Sequence, residues 1–358
     1  MSDALVILLT GACAAVACSV LGTFLLLRGM SLVGDAVSHA VLPGIVVAFM
    51  ITHSVSALPV VLGAAAVGLL TVFLIETLVR TRRVKADASI AIVFPALFAL
   101  GVLLIARFLD QKDLDLDCVL YGELTFAGMD TVRILGMEVS QPLLVLGGAA
   151  LANLVFVAVL YKELKLATFD AGLAASLGIS PVLVHYLLMG AVSVTTVASF
   201  EAIGAILVVA FLIVPAAAAH LLTDRLWLML VLSAGIGIAA AAAGYFAATA
   251  LNVSISGMMA ASMGGLFVMA FLFAPREGVI GRLVARRRAR ERFALALVLE
   301  RLARQPADES QLAADLAWPR ERLLEVLLSL KRNGLVELAG PALRPTAMGL
   351  GFLSATAG

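Results

Sequence analysis

Nine mainly apolar stretches, each close to the length of a bilayer crossing, follow one another between Leu5 and Phe273. About 20 such residues carry an α-helix through the hydrocarbon core, where only helices and closed barrels satisfy their own backbone hydrogen bonds. The stretches lie near residues 5–27, 31–51, 57–79, 89–108, 139–161, 181–199, 202–222, 227–250 and 253–273. Those at 31–51 and 181–199 are shorter or more polar and are expected to be broken or tilted, so the count is eight or nine. Composition agrees: 62% of the 358 residues are hydrophobic and 14% charged, with mean hydropathy +1.09. A polytopic helical membrane protein has such values and a soluble domain does not. The first stretch has neither a basic leader nor a cleavage motif and reads as a retained span. The expected fold class is an all-α polytopic membrane protein with 8–9 transmembrane helices and a small C-terminal α+β domain.

The span from Arg28 to Phe49, RGMSLVGDAVSHAVLPGIVVAF, carries two ionisable residues, Asp35 and His39. Four residues apart on a helix, they share one face. Ionisable groups inside a membrane are costly and face a protein interior or an aqueous path. A carboxylate and an imidazole on one face are ligands for a divalent transition metal. The same spacing suits a buried pair that ties the helix to a neighbour, and spacing alone leaves the two readings even.

The string GDAVSHAVLPG within this span resembles a signature of the permease subunits of ABC importers for manganese, zinc or ferrous iron. ASFEAIGAILVVAFLIVPAAAAHLL, from Ala198 to Leu222, resembles a second signature of that family, in the right order. The resemblance implies an ABC-3, type II importer-like fold in which Asp35 and His39 line the path and touch the metal. It implies a separate ATPase subunit, since the chain has no G-x-x-x-x-G-K-[ST] phosphate loop. It further implies an extracytoplasmic metal-binding protein and a second permease, identical or related. Mn2+, Zn2+ or Fe2+ would be cargo, with no permanently bound cofactor, in the inner membrane of a bacterium.

Lys and Arg placement sets orientation. Arg80, Arg82, Arg83 and Lys85, with Arg276 through Arg292, put those ends in the cytoplasm, as do Lys162 and Lys165. Nine spans then put the N-terminus outside and the C-terminus inside; eight would move the N-terminus in. The loop from Asp110 to Asp117 comes out external. Its acidic residues, with Glu123 and Asp130, attract cations or form a solvated loop, and the solvated loop is favoured two to one. The segment from Cys118 to Gln141 reads as a re-entrant or interfacial piece on the outer face.

Between Leu166 and Pro181 the chain is helical in propensity and ends at Gly178 before Pro181. The resemblance implies a coupling helix here that docks on the ATPase through Phe169, Asp170, Leu173, Ala174 and Leu177. Glu201, downstream of Ser193, Thr195, Thr196 and Ser199, reads equally as a carboxylate at the metal entrance or as the cap of a helix N-terminus. Pro215 is expected to kink its span. His53, His185 and His220 read as interfacial. Met30, Met258, Met259 and Met263, like Cys13 and Cys18, read as core filling.

After Phe273 the composition changes: 14 of the 25 Lys and Arg lie beyond it. The expected division is 1–275 membrane domain, 276–289 basic juxtamembrane linker drawn to anionic lipid, and 290–358 cytoplasmic domain. An amphipathic helix near 290–304 uses Phe293, Leu297, Val298 and Leu302 as its apolar side. Ser310 then caps a short helix, Pro319 begins a longer one closed by Gly334, and two short strands follow. That order resembles the winged-helix domains of metal-dependent repressors. Glu321 and Glu325 on the longer helix argue against a phosphate-facing surface, so nucleic acid is not expected as a partner. A membrane-tethered transcription regulator is the alternative function. An enzyme is not expected, since no H-E-x-x-H or other catalytic spacing is present.

Overall fold

The structure, a computed structural model, describes residues 3–52, 57–108, 124, 131–134, 137–274, 278–339 and 342–356. His53, the acidic loop from Asp110 to Asp117, Cys118, Glu123 and Asp130 lie outside the described residues. The chain divides into two units, Met1–Ala274 and Pro275–Gly358.

In the first unit α1 (Asp3–Leu27) is followed by α2 (Ser31–Ala40), α3 (Leu42–Thr52), α4 (Ala57–Arg80) and α5 (Ala86–Phe108). A hairpin, β1 (Thr131–Ile134) with β2 (Met137–Ser140), leads into α6 (Gln141–Val159). Within the segment expected to be re-entrant or interfacial, the described residues thus form a two-stranded antiparallel ribbon. Then come α7 (Tyr161–Phe169), α8 (Ala171–Ser176), α9 (Pro181–Ile203), α10 (Ala205–Leu222), α11 (Leu226–Leu251) and α12 (Ile255–Phe273). Among the described residues nine candidate spans meet the length and hydropathy of a crossing, α2 and α3 together making one.

The helix at the centre is α1. It is apolar on all sides, as a buried helix must be, and packs on α6, α10 and α11. Every residue from Ala17 to Leu25, more than two full turns and so pointing in every direction, is buried. At Gly22 the contact with α10 is backbone to backbone: a Cβ there would lie 1.8 Å from the Leu212 carbonyl oxygen. Small residues at such crossings replace the missing hydrophobic drive between helices in lipid.

Two breaks shape the interior. The span expected to be broken at 31–51 is broken, at Val41. Pro43 has no N–H and so removes the helical donor that the His39 carbonyl would have, while Gly44 and Ile45 both bond the Val41 carbonyl. The span at 181–199 runs unbroken to Ile203, where Gly204 (φ 79, ψ 159) ends α9 and precedes α10. Only glycine takes that backbone without strain. Pro215 lies inside an uninterrupted α10.

The second unit holds α13 (Val279–Arg304), α14 (Glu309–Leu316), α15 (Arg320–Arg332), the hairpin β3 (Val336–Ala339) and β4 (Ala342–Pro345), and α16 (Ala347–Thr356). Its core is Val298, Leu299, Leu302, Leu312, Leu323 and Leu330. The basic stretch is helical from Val279 and continuous with the amphipathic helix. Phe293 is exposed rather than apolar filling, because the core stripe runs through Ala294, Val298 and Leu302 one position on. The cap of α14 is Asp308 in a capping box with Gln311, not Ser310, which donates to Asp308 instead. A single two-stranded sheet and helices of this order do not by themselves establish a winged helix.

Candidate metal-permeation site

Within α2 the apolar positions Val33, Ala36, Val37 and Ala40 are buried, and the helix packs on α4, α5, α9 and α10. Asp35 and His39 therefore fall on the less buried face, with side chains 42% and 31% exposed. His39 Nε2 lies 3.5 Å from Asp35 Oδ1. From α5 the rings of Phe94 and Phe98 flank the imidazole, with centroids at 5.7 and 6.4 Å. The break after Ala40 lies one residue beyond His39. The arrangement presents a carboxylate and an imidazole side by side, the imidazole fixed by aromatic neighbours. The sequence reading missed Phe94 and Phe98; their signal is an i, i+4 aromatic pair in the middle of a mainly aliphatic span.

The Glu201 backbone lies further along the bundle than this pair. Ser193 packs at Gly68 beside Val37 of α2, and Glu201 is eight residues further along α9. At 1.5 Å per residue its backbone is about 12 Å away along the helix axis. It sits in the last turn of α9, so the expectation that it caps a helix N-terminus is corrected: Gly204 precedes α10. Among the described residues no three His, Cys, Asp or Glu side chains gather as a metal-binding group. Asp35 and His39 would supply two candidate ligands from one chain.

The polar patch upstream of Glu201 is buried and tied across helices. Asn153 of α6, which the sequence reading did not single out, donates through Nδ2 to the Ala17 carbonyl at 2.9 Å and to Thr195 Oγ1 at 2.8 Å. Ser199 donates to the Thr195 carbonyl at 2.6 Å. The hydroxyls of Ser193 and Thr196 are buried with no hydrogen-bond partner among the described residues. Met259 and Met263 are fully buried in the packing of the first unit and are not brought to Asp35 and His39. Met30 packs at the edge of the same core.

At the end of the bundle where α1, α4 and α6 finish and α9 begins, Tyr186 donates to Glu76 Oε2 at 2.5 Å, and Arg80 to Glu76 Oε1 at 2.9 Å. The segment α7–α8 lies at this end. Asp170 caps α8, its carboxylate accepting from the Leu173 N–H at 2.9 Å. Phe169, Leu173 and Leu177 are exposed, whereas Ala174 is fully buried. The five residues expected to couple thus divide: three are exposed apolar side chains, one caps and one packs inward.

A family model described as the ABC 3 transport family matches residues 3–274. The chain belongs to that family. A manganese transport system membrane protein, MntD of Bacillus subtilis, is 50% identical over 275 residues, 76% of this chain and 93% of that one. A zinc transport system membrane protein, TroD of Treponema pallidum, is 38% identical over 348 residues, 95% of each chain. That similarity therefore extends into the C-terminal unit. Among solved structures, PsaBC from Streptococcus pneumoniae in complex with Fab matches with TM-score 0.65 and 30% identity, over 77% of this chain and 94% of that one. This ABC 3 member is a multi-pass membrane permease with the fold of its relatives, and it joins a helical membrane unit to a second unit that the family model does not cover.

Proposed function

We propose that the chain is the permease subunit of an ATP-driven importer of a divalent transition metal, Mn2+ or Zn2+ in the first place and Fe2+ by the same ligand chemistry. The observation that carries this is the Asp35–His39 pair on a broken membrane-depth helix, in a chain similar to manganese and zinc permeases. Carboxylate and imidazole suit all three ions, so the pair selects a class and not a metal. Two ligands on a half-exposed face form half a site. A second permease, identical or related, would complete the coordination sphere across a shared pathway, and backbone carbonyls and water would fill the rest. Glu201, about 12 Å further along the bundle, lies nearer the opposite end, where it suits an entrance better than the site itself.

The positive charge of Arg80 to Lys85, Lys162 and Lys165 supports a cytoplasmic α7–α8 end in a bacterial inner membrane, and the basic stretch after Phe273 supports a cytoplasmic C-terminus by the same rule. At the α7–α8 end Phe169, Leu173 and Leu177 offer exposed apolar side chains to a groove on an ABC ATPase, with Asp170 holding α8 in shape. An extracytoplasmic binding protein delivers the ion on the other side. The C-terminal unit acts in assembly or regulation. It contains no His or Cys, so it lacks the imidazole and thiolate ligands of a transition-metal sensor, and nothing on it favours the transcription-regulator alternative.

The test is uptake of radioactive Mn2+ and Zn2+ into vesicles holding the chain with its ATPase and binding protein. ATP-dependent accumulation of either metal is expected. Its absence in an assembled complex that hydrolyses ATP would refute the reading.

A further inference from the structure

Arg28 follows the last residue of α1 and stands seven residues before Asp35. Its Nε donates to the Thr168 hydroxyl of α7 at 3.1 Å, and that hydroxyl donates to the Leu164 carbonyl at 2.6 Å. Its Nη2 is buried with no hydrogen-bond partner among the described residues. A guanidinium nitrogen left unpaired away from water costs free energy. Well-packed apolar side chains would commonly hold two helix ends together as well or better. An arginine here suits a task beyond packing.

Both ends of the contact are stiff. Gly29 (φ 67) closes α1, its N–H on the Leu26 carbonyl and the Met30 N–H on the Leu25 carbonyl, each at 2.9 Å. This double closure fixes the turn and carries Arg28 along with the start of α2. Thr168 stands two residues before Asp170, whose carboxylate caps α8. One hydrogen bond thus joins the α7–α8 elbow to the α1–α2 turn.

We propose that Arg28 is a positioning residue that passes movement of the α7–α8 elbow to α2, linking ATPase docking to the geometry of Asp35 and His39. This rests on the permease reading above. When the elbow is displaced, Thr168 draws the guanidinium and with it the turn ahead of α2. Without the hydroxyl or the guanidinium the elbow moves and α2 does not follow.

The experiment measures Mn2+ uptake and ATP hydrolysis together in proteoliposomes holding the complete transporter. Thr168→Val keeps the shape and removes the hydroxyl; Thr168→Ser keeps the hydroxyl. Thr168→Val and Arg28→Gln are expected to lower Mn2+ carried per ATP hydrolysed about tenfold, the factor that 1.4 kcal/mol represents. Thr168→Ser should stay close to the unsubstituted ratio. A merely structural contact would lower assembly, or both rates in proportion, and leave the ratio unchanged; that result overturns the proposal. Should Arg28→Gln fail to assemble, the Thr168 pair decides alone. An unsubstituted complex that hydrolyses ATP and carries neither Mn2+ nor Zn2+ would count against the permease reading itself.

Discussion

Substituting glycines one at a time by alanine should separate the crossings that set the fold from positions that merely face lipid. At Gly22 an added Cβ would lie 1.8 Å from the Leu212 carbonyl oxygen, with the Leu212 carbonyl carbon at 2.7 Å. Ordinary contact begins near 3.4 Å, so α1 and α10 would have to part by more than an ångström, and backbone offers no rotamer with which to yield. Overpacking of a core costs about 1–3 kcal/mol and occasionally more; Gly22→Ala should reach or exceed the top of that range. At Gly237 the nearest atom is the Ala15 Cβ at 3.1 Å, a contact that a shift of a few tenths relieves, and the cost should be about 1 kcal/mol. At Gly148 no atom of the described residues lies within 4 Å of an added Cβ. There alanine should stabilise α6 by roughly 0.5–1 kcal/mol, through the backbone entropy that glycine loses in a helix. Equilibrium unfolding in mixed micelles reads all three. If Gly22→Ala and Gly148→Ala unfold alike, the backbone-to-backbone crossing of α1 and α10 is wrong.

Asn153→Leu removes both interhelical bonds to α1 and α9 and should cost about 1–2 kcal/mol by the same unfolding assay, since such bonds in lipid average about 0.6 and reach about 1.7 kcal/mol. Leu173→Asp puts a charge among the exposed apolar side chains of the coupling segment. It should weaken ATPase association about thirtyfold, a loss of about 2 kcal/mol typical of an interface anchor, measured by co-purification at graded ATPase concentration. Asp308 is held below the ordinary aspartate range, first by the Ser310 hydroxyl and then by the Gln311 N–H. A depressed folded-state value means that its stabilisation is complete above the unfolded pKa, about 3.9, and is lost as pH falls below it. Protection of the Gln311 amide in the intact chain, its exchange rate relative to an unstructured amide at the same pH, should fall over that acidic window, and Asp308→Asn should remove that pH-dependent fall.

The membrane unit was largely legible because bilayer length, Lys and Arg placement and an i, i+4 polar pair are one-dimensional signals. The stretch at 31–51 reads as broken or tilted because it is short and polar, but the place of the break, after Ala40, follows from Pro43, which cannot donate to the His39 carbonyl. Other features depend on which helices meet, and no local pattern carries that. Asn153 is one polar residue in an apolar span until α1 and α9 are seen beside it. Glu201 misled because a boundary drawn at residue 199 put it at a helix start, whereas α9 continues to Ile203 and Gly204 makes the break. In the C-terminal unit the capping box was missed for a simpler reason. Ser310 and Asp308 both have N-cap chemistry, and only the glutamine three residues after Asp308 distinguishes them.

The central claim, that Asp35 and His39 hold the transported ion, is tested most directly by electron paramagnetic resonance of Mn2+ bound to the purified transporter. The chain would carry 15N-labelled histidine. The account predicts a nitrogen coupling from imidazole that disappears in His39→Gln, and weaker binding in Asp35→Asn. Mn2+ that binds with no histidine coupling, or with a coupling that His39→Gln leaves intact, would contradict it.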